Sequence, residues 1–337
     1  MILCQSPFRI SYFGGGTDFP DWYNNYGDGM VLSTTINKYC WIILRTLPPF
    51  FSFNYRLRYF NTETIKNIND IKHPSIKAIL NEYHQLKKKG LEIIHYADLP
   101  ALSGLGASSS FTNCLIFLIH KYNNNKISKK SLAEKSIFIE KKILKEKCGH
   151  QDQYATAFGG FNEILFKKNS VSLKSLNIQY EKKKKLEDNT VIFFTGISRK
   201  ANNIEKEKVK NMKNKQDFYR EIYQITLEAR NLFYKKNNQK FLENISDLLN
   251  ESWKLKKNLS NNVSSNKIDD IYSAALKNGA MAGKILGAGG GGFIMFITKN
   301  TQYKKKLIKF LSKLTHVNFK FENEGTKIIN TGIDEYK

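Results

Sequence analysis

Pro100-Ala-Leu-Ser-Gly104-Leu105-Gly106-Ala107-Ser108-Ser109-Ser110 lies between a predicted strand, Leu91 to Tyr96, and an apolar run from Phe111 to Ile119 that reads as a helix. Gly104 and Gly106 let the backbone approach a ligand closely, and a helix start directs unsatisfied N–H groups at whatever sits before it. Together those properties suit a phosphate. A serine hydroxyl at the same place can coordinate the magnesium that accompanies a nucleoside triphosphate. Serine is also a good helix cap, so an ordinary capped helix would use some of these residues. Two glycines followed by three serines exceed what a cap needs, and Gly104 to Ser110 is read as a phosphate loop. The sequence contains no GxxxxGK[ST], and the HRD and DFG elements of protein kinases are missing. If phosphate is transferred here, a different architecture does it.

A second glycine cluster, Gly287-Ala-Gly289-Gly290-Gly291-Gly292, matches GxGxxG. A dinucleotide fingerprint follows a strand and opens a helix. Here a predicted helical stretch, Ile271 to Leu286, comes first and a predicted strand, Phe293 to Thr298, follows. The reversed order excludes the dinucleotide reading. So many glycines are costly in a free turn, which predicts close approach of this loop to the phosphate loop.

Two carboxylates and one arginine complete the set. Glu140 falls in a predicted helix, Lys129 to Lys147, stopped by Gly149, and shares a face with Ile137, Ile143 and Leu144. On an apolar face a carboxylate must be ion-paired, with Lys135 or Lys141 for instance, or bound to a cation. Asp152 follows in Cys148-Gly-His-Gln-Asp152-Gln-Tyr154, where it is either a turn cap or a base. Near the N-terminus, Pro7-Phe-Arg9-Ile-Ser-Tyr-Phe-Gly14-Gly15-Gly16-Thr17-Asp18 joins a basic residue to a glycine turn and an acid. Arg9 can hold a phosphoryl group or depress the pKa of Asp152. Asp18 can accept hydrogen bonds from sugar hydroxyls, or be a surface residue of a hairpin.

Around these motifs the pattern mixes α and β without regular βαβ alternation, so the fold class is α+β. Strands are predicted at 31–37, 39–44, 160–166 and 171–176, a helix at 74–89, and long amphipathic helices at 201–236 and 238–258. The length, 337 residues, suits two domains. The charged stretch Glu181 to Asn189 is the expected linker, giving an N-terminal lobe over 1–186 and a C-terminal lobe over 187–337. Apolar residues at 41% and charged residues at 25% are ordinary for a globular protein. The net charge of +24 admits nucleic acid, an anionic membrane or a phosphorylated substrate. Only seven of the 54 basic residues are arginine, and lysines are scattered among asparagines, which disfavours a nucleic-acid patch. Cys4, Cys40, Cys114 and Cys148 form no CxxC and are expected as buried free thiols, and six histidines make no HExxH. No apolar run reaches the roughly 18 residues of a membrane span, and with no signal-peptide pattern the expected location is cytoplasmic.

These residues, taken together, resemble the GHMP kinase superfamily, which includes galactokinase, homoserine kinase, mevalonate kinase and phosphomevalonate kinase. Pro100 to Ser110 looks like that family's PxxxGLGxSS phosphate loop, Gly287 to Phe293 is similar to its C-terminal glycine motif, and Pro7 to Asp18 to its N-terminal motif. Within the superfamily, FRISYFGGGTDFP, GHQDQYATAFGG and GKILGAGGGGF most resemble the heptose-phosphate kinases. The resemblance implies two lobes, the first like the ribosomal protein S5 domain 2 fold and the second ferredoxin-like, with the active site between them. It implies an ATP- and Mg²⁺-dependent sugar 1-kinase acting on a small phosphosugar, for nucleotide-activated heptose and surface polysaccharide, with neither nucleic acid nor membrane as partner; a homodimer is left open.

Position by position, Ser108 and Glu140 match the family's magnesium ligands, Asp152 its catalytic Asp and Arg9 the basic residue beside it. Asp18 matches a sugar contact, with Gly15, Gly16 and Thr17 standing where galactokinases carry a Glu-His pair. That departure argues for a larger sugar than galactose. Gly289, Gly290 and Gly291 are expected to border the substrate, and Arg199 and Lys200 are candidates for a substrate phosphate. Ala107 replaces a commoner serine, leaving Ser108 and its successors to serve the metal. Two alternatives stand: a fucose-type or mannose-type 1-kinase using an unphosphorylated sugar, and a non-catalytic RNA-binding protein, which would leave Glu140 and Asp152 unexplained.

Overall fold

Strand-forming residues are concentrated in the first hundred positions, and they build most of one large sheet. The computed structural model describes residues 1–84, 90–101, 103–197, 201–236 and 239–331. In it β1 (Ile2–Phe13) pairs antiparallel with β2 (Gly29–Thr46), the longest strand. The two strands predicted at 31–37 and 39–44 are this one strand. Its register slips between Pro7 and Phe8, where Asn37 and Lys38 lie opposite no residue of β1. Proline has no N–H to give to the ladder, so a bulge falls there.

The sheet continues through β3 (Tyr55–Arg58), β4 (Thr62–Ile65) and β5 (Leu91–Ala97), and the far half of β2 takes the hairpin β6 (Phe161–Lys167) and β7 (Ser170–Ser175). β3 runs parallel to β5; the other pairs are antiparallel. A second antiparallel sheet, ordered β11-β8-β10-β9, comprises β8 (Thr190–Phe194), β9 (Ala280–Ile285), β10 (Phe293–Thr298) and β11 (Thr315–Val317). The chain then returns to the first sheet: β12 (Phe321–Glu322) pairs with β2 and β13 (Lys327–Thr331) with β1. The expected second lobe, 187–337, therefore lends its final strands to the first.

α3 (Ala107–Tyr122) and α5 (Gln151–Phe158) pack on the first sheet, α2 (Pro74–Tyr83) and α4 (Lys129–Ile137) pack on α3, and the short α1 (Pro20–Tyr23) follows β1. α3 suits that place because Cys114, Leu115, Ile116, Leu118 and Ile119 are all fully buried. The second lobe carries α6 (Tyr180–Asn189), α7 (Ala201–Asn211), α8 (Gln216–Tyr234), α9 (Phe241–Asn258), α10 (Asn266–Lys277) and α11 (Thr301–Phe310). The expected linker at 181–189 is thus the helix α6, fixed by buried Leu186. The helix predicted to lead into the glycine cluster stops at Lys277. Gly279, at φ +105°, turns the chain into β9, so that cluster joins two strands.

Among the described residues all four cysteines are free, with Cys4, Cys40 and Cys114 buried. No helix among them is long and apolar enough to cross a membrane.

One charge cluster holds the edge of the first sheet. Buried Glu92 of β5 pairs with Arg45, with Arg56 at 2.5 Å and with Arg58 at 3.6 Å. Burial alone would raise this carboxyl, but the Arg56 and Arg45 guanidiniums outweigh it and hold the pKa below the ordinary value. A carboxylate depressed in the folded state contributes stability above its unfolded pKa, and that stability is lost as pH falls through the folded value. Glu92→Gln is expected to melt below wild type at pH 7, the gap closing as pH drops below about 4. A gap that stays constant from pH 7 to 3 would refute this.

Candidate active site

The first-turn amides of α3 lack a capping side chain. Its N-cap is Gly106, in the left-handed region at φ +77°, so none of the serines caps the helix. Ser110 instead donates its hydroxyl to Pro7 O at 2.9 Å, tying the loop to β1. The helix end is left free to receive an anion, which decides against a simple capped turn.

Arg9 grips the same loop twice. Its backbone N–H donates to Leu105 O at 2.9 Å, and its Nη1 to Gly104 O at 2.5 Å. The other edge of the guanidinium donates Nε and Nη2 to the two carboxylate oxygens of Asp152, each at 2.7 Å. Asp152 stands in the first turn of α5. Burial pushes its carboxyl above the ordinary range, with Arg9 opposing and Asp18 and Glu205 adding to the rise. Arg9 does favour the ionised form, as expected from sequence, but desolvation is the stronger influence.

Glu140 is fully buried, yet the reason differs from the expected one. The helix predicted to Lys147 ends at Ile143, and its last stretch, Phe138–Ile143, is a π-helical turn. Such turns concentrate at functional sites because they re-aim a side chain. Ile143, expected to share Glu140's face, is exposed instead. No lysine pairs with Glu140 among the described residues: Lys135 stacks over Tyr83, and Lys141 reaches Cys148 O and Asp21. Its Oε2 accepts from Ser109 Oγ at 3.1 Å and Gln153 Nε2 at 2.5 Å, while buried Oε1 has no partner. Burial, reinforced by Glu146, raises its pKa to about 8. Ligand atoms of Glu140, Glu146 and Cys148 lie within 4.8 Å of one another. An orphaned carboxylate oxygen beside a second carboxylate and the serine loop fits a hard divalent cation. Ser108 is exposed and lines the same cleft.

These groups share one cleft of about 460 Å³ with Gly15, Gly16 and Asp18. Asp18 is buried and held from both sides: Gly16 N–H donates to Oδ1 at 2.9 Å and Gln151 Nε2 to Oδ2 at 3.0 Å. Gly149 must lack a side chain there, since a Cβ would sit 1.9 Å from Asp18 Oδ2. Thr17 is a correction. It is fully buried, outside the cleft, with its hydroxyl donating to Gly14 O at 2.8 Å, so it holds the turn and cannot meet a substrate.

The second glycine cluster approaches the phosphate loop as expected. A Cβ on Gly287 would lie 2.6 Å from Gly104 Cα, and Phe293 N–H donates to Ser103 O at 3.2 Å. It is Gly287 and Ala288 that line the cleft, however. Gly289, Gly290 and Gly291 turn away: Gly290 N–H bonds Val263 O, and Cβ atoms on Gly289 and Gly291 would strike Val263 and Ile197. Their expected substrate contact is corrected accordingly. Arg199 and Lys200 lie outside the described residues.

Sequence reasoning missed several residues of the cleft, Glu205, Lys208 and Lys256 among them. Lys208 Nζ donates to Ala288 O at 2.6 Å and pairs with Glu205 at 3.2 Å; Lys256 Nζ donates to Gly287 O at 2.6 Å. Both lysines are buried. Burial lowers the Lys256 ammonium well below its usual range, with Lys284 and Lys208 adding to it. A signal did exist. Lys208 sits four residues from both Ile204 and Met212, and Lys256 three after Trp253, on the buried faces of amphipathic helices.

An anion-receptive helix end facing an Asp–Arg pair is the arrangement of a phosphotransferase. Residues 70–160 match the family of GHMP kinases N terminal domains and residues 233–316 that of GHMP kinases C terminal domains. The chain is 33% identical to D-glycero-alpha-D-manno-heptose 7-phosphate kinase of Campylobacter jejuni, over 97% of this chain and 98% of that one. Among solved structures it resembles a D-glycero-D-manno-heptose 1-phosphate kinase from Bacteroides thetaiotaomicron, with a TM-score of 0.80 and 23% identity over 99% and 100% of the two chains. Mevalonate kinase of Methanococcus jannaschii follows the same fold, with a TM-score of 0.72 and 22% identity over 95% and 98%. The chain belongs to the GHMP kinase family. It is a sugar kinase of that family, similar to the heptose phosphate kinases.

Proposed function

We propose that this kinase transfers the γ-phosphoryl group of ATP to the anomeric hydroxyl of D-glycero-D-manno-heptose 7-phosphate, giving ADP and the 1,7-bisphosphate. The observation that carries this reading is the Arg9–Asp152 pair, gripped to the phosphate loop and facing Asp18 in one cleft. The similarity to a heptose 7-phosphate kinase over nearly the whole chain narrows the acceptor.

The uncapped α3 amides and the Gly104–Ser109 backbone cradle the triphosphate. Ser108 and Glu140 would hold Mg²⁺, which when bound neutralises charge on the phosphates. Asp18 fixes the sugar by accepting from its hydroxyls. Asp152 takes the proton of the anomeric O–H as that oxygen bonds to γ-phosphorus and the bond to the ADP oxygen breaks. Arg9 holds both carboxylate oxygens of Asp152, so its orientation is fixed before the substrate arrives.

The test is ADP release with ATP and Mg²⁺ over heptose 7-phosphate, free heptose, mannose, fucose, galactose and mevalonate. Turnover confined to the 7-phosphate is the expected result. Turnover on an unphosphorylated sugar would refute the acceptor while keeping the fold and the catalytic pair.

A further inference from the structure

We infer that Lys256, with Lys208 beside it, forms the site that recognises a phosphomonoester already carried by the acceptor sugar. The site is on the cleft wall supplied by α7, α9 and the Gly287–Ala288 turn. The inference rests on the phosphosugar reading above and gives it a location that Arg199 and Lys200 had been expected to fill.

A buried ammonium is costly unless something pairs with it. Lys208 has Glu205 at 3.2 Å. Lys256 is 5% exposed, and among the described residues no carboxylate lies within 4.0 Å of it; of its three N–H donors, one goes to Gly287 O. Lys284 of β9, also buried, likewise bonds a carbonyl, Tyr12 O at 2.9 Å, and no carboxylate. Arg9 and Lys208 each have a carboxylate, Asp152 and Glu205, whereas Lys256 has none, and burial disfavours its charged form. A phosphomonoester, with roughly −1.5 to −2 charge at pH 7, supplies the counter-charge that favours this ammonium.

The nucleotide phosphates have their own receptor in the α3 amides and the Glu140 end of the cleft. Asp18 accepts from Gly16 and Gln151 and makes no ion pair with Lys256 among the described residues. The Gly287 and Ala288 carbonyls fix where the two ammoniums sit, which suits recognition of one anion at one place.

The experiment compares wild type, Lys256→Met and Lys256→Arg on heptose 7-phosphate and free heptose, with KM for ATP measured in parallel. Lys256→Met is expected to raise KM for the 7-phosphate roughly 10- to 100-fold, the loss a charge-assisted hydrogen bond gives. KM for ATP should stay within about twofold, and Lys256→Arg should recover most of the loss. Inorganic phosphate should compete with the phosphosugar and not with ATP in wild type, a reading that needs no variant to fold. An unchanged KM for the 7-phosphate, or a loss confined to kcat, overturns the inference; the latter would assign Lys256 to the transferred group. A wild type that demands the 7-phosphate while Lys256→Met is silent defeats this inference alone. A wild type indifferent to the 7-phosphate defeats the function reading and this one together.

Discussion

Asp152→Asn is expected to lower kcat by about 10³-fold, within the range a positioned general base contributes, while ATP binding stays within a few-fold of wild type. Asparagine keeps the shape of the side chain but cannot take the proton of the acceptor hydroxyl. It also offers Arg9 one oxygen in place of two, leaving a buried guanidinium without its counter-charge. Arg9 is buried and Asp152 is partly exposed to the cleft, so the cost falls below the roughly 3–5 kcal/mol of a fully buried pair, and the variant should also melt below wild type. Nucleotide binding measured below that melting point separates lost chemistry from lost fold.

The pH profile adds a second reading with a definite sign. Burial raises the Asp152 pKa and Arg9 opposes the rise. Since the ionised form is the base, kcat/KM should fall as pH drops through a value above the ordinary Asp range of about 3.9. Arg9→Ala removes the opposing influence and should move that acid limb to higher pH. A limb that Arg9→Ala leaves in place would show that Asp152 orients the hydroxyl and takes no proton.

Gly104→Ala and Gly287→Ala should each destabilise the protein by roughly 3 kcal/mol or more, among the larger single-residue effects. Gly104 has φ +81° and a Cβ there would sit 2.5 Å from Leu286 O; Gly287 has φ +68° and its Cβ would sit 2.6 Å from Gly104 Cα. The left-handed backbone costs an L side chain about 1–2 kcal/mol by itself. The collision adds to that, because both partners are backbone and neither can rotate away. Gly15→Ala is the internal control: it lines the same cleft, has no such φ, and its nearest contact would be Gln151 Nε2 at 3.7 Å. It should melt within a degree or two of wild type. Equal melting of all three would show that the two loops tolerate separation.

The parts of the site readable in sequence were those whose residue types are expensive anywhere else. A Gly-Leu-Gly before serines, a run of five glycines in six positions and an arginine in an arginine-poor chain each announce a constraint. The lysines were hard to single out for the opposite reason, their helical spacing to apolar residues being the one signal they carry. In a chain with 54 basic residues, Lys208 and Lys256 look like solvated surface until their helices are docked. Glu140 was found through a face argument that holds for Ile137 and Leu144, which pack against the core, and fails for exposed Ile143, which the π-helical turn rotates out. Thr17 and Gly289 to Gly291 were over-read. Their types are demanded by the turns they hold, and sequence does not separate a residue that shapes a loop from one the loop presents.

The pairing of Ile2 with Thr331 bears on how the protein is made. β1, the strand that carries Arg9, leaves the ribosome first among the strands and receives β13 as its second neighbour only when the far end of this sequence has followed. At about 5–20 residues per second that interval is on the order of tens of seconds. Throughout it the Ile2–Gln5 edge of β1 has unsatisfied backbone donors and acceptors, open to the wrong partner. The nascent chain therefore carries a half-finished template at the start of β1, and synthesis must reach β13 before that edge is closed.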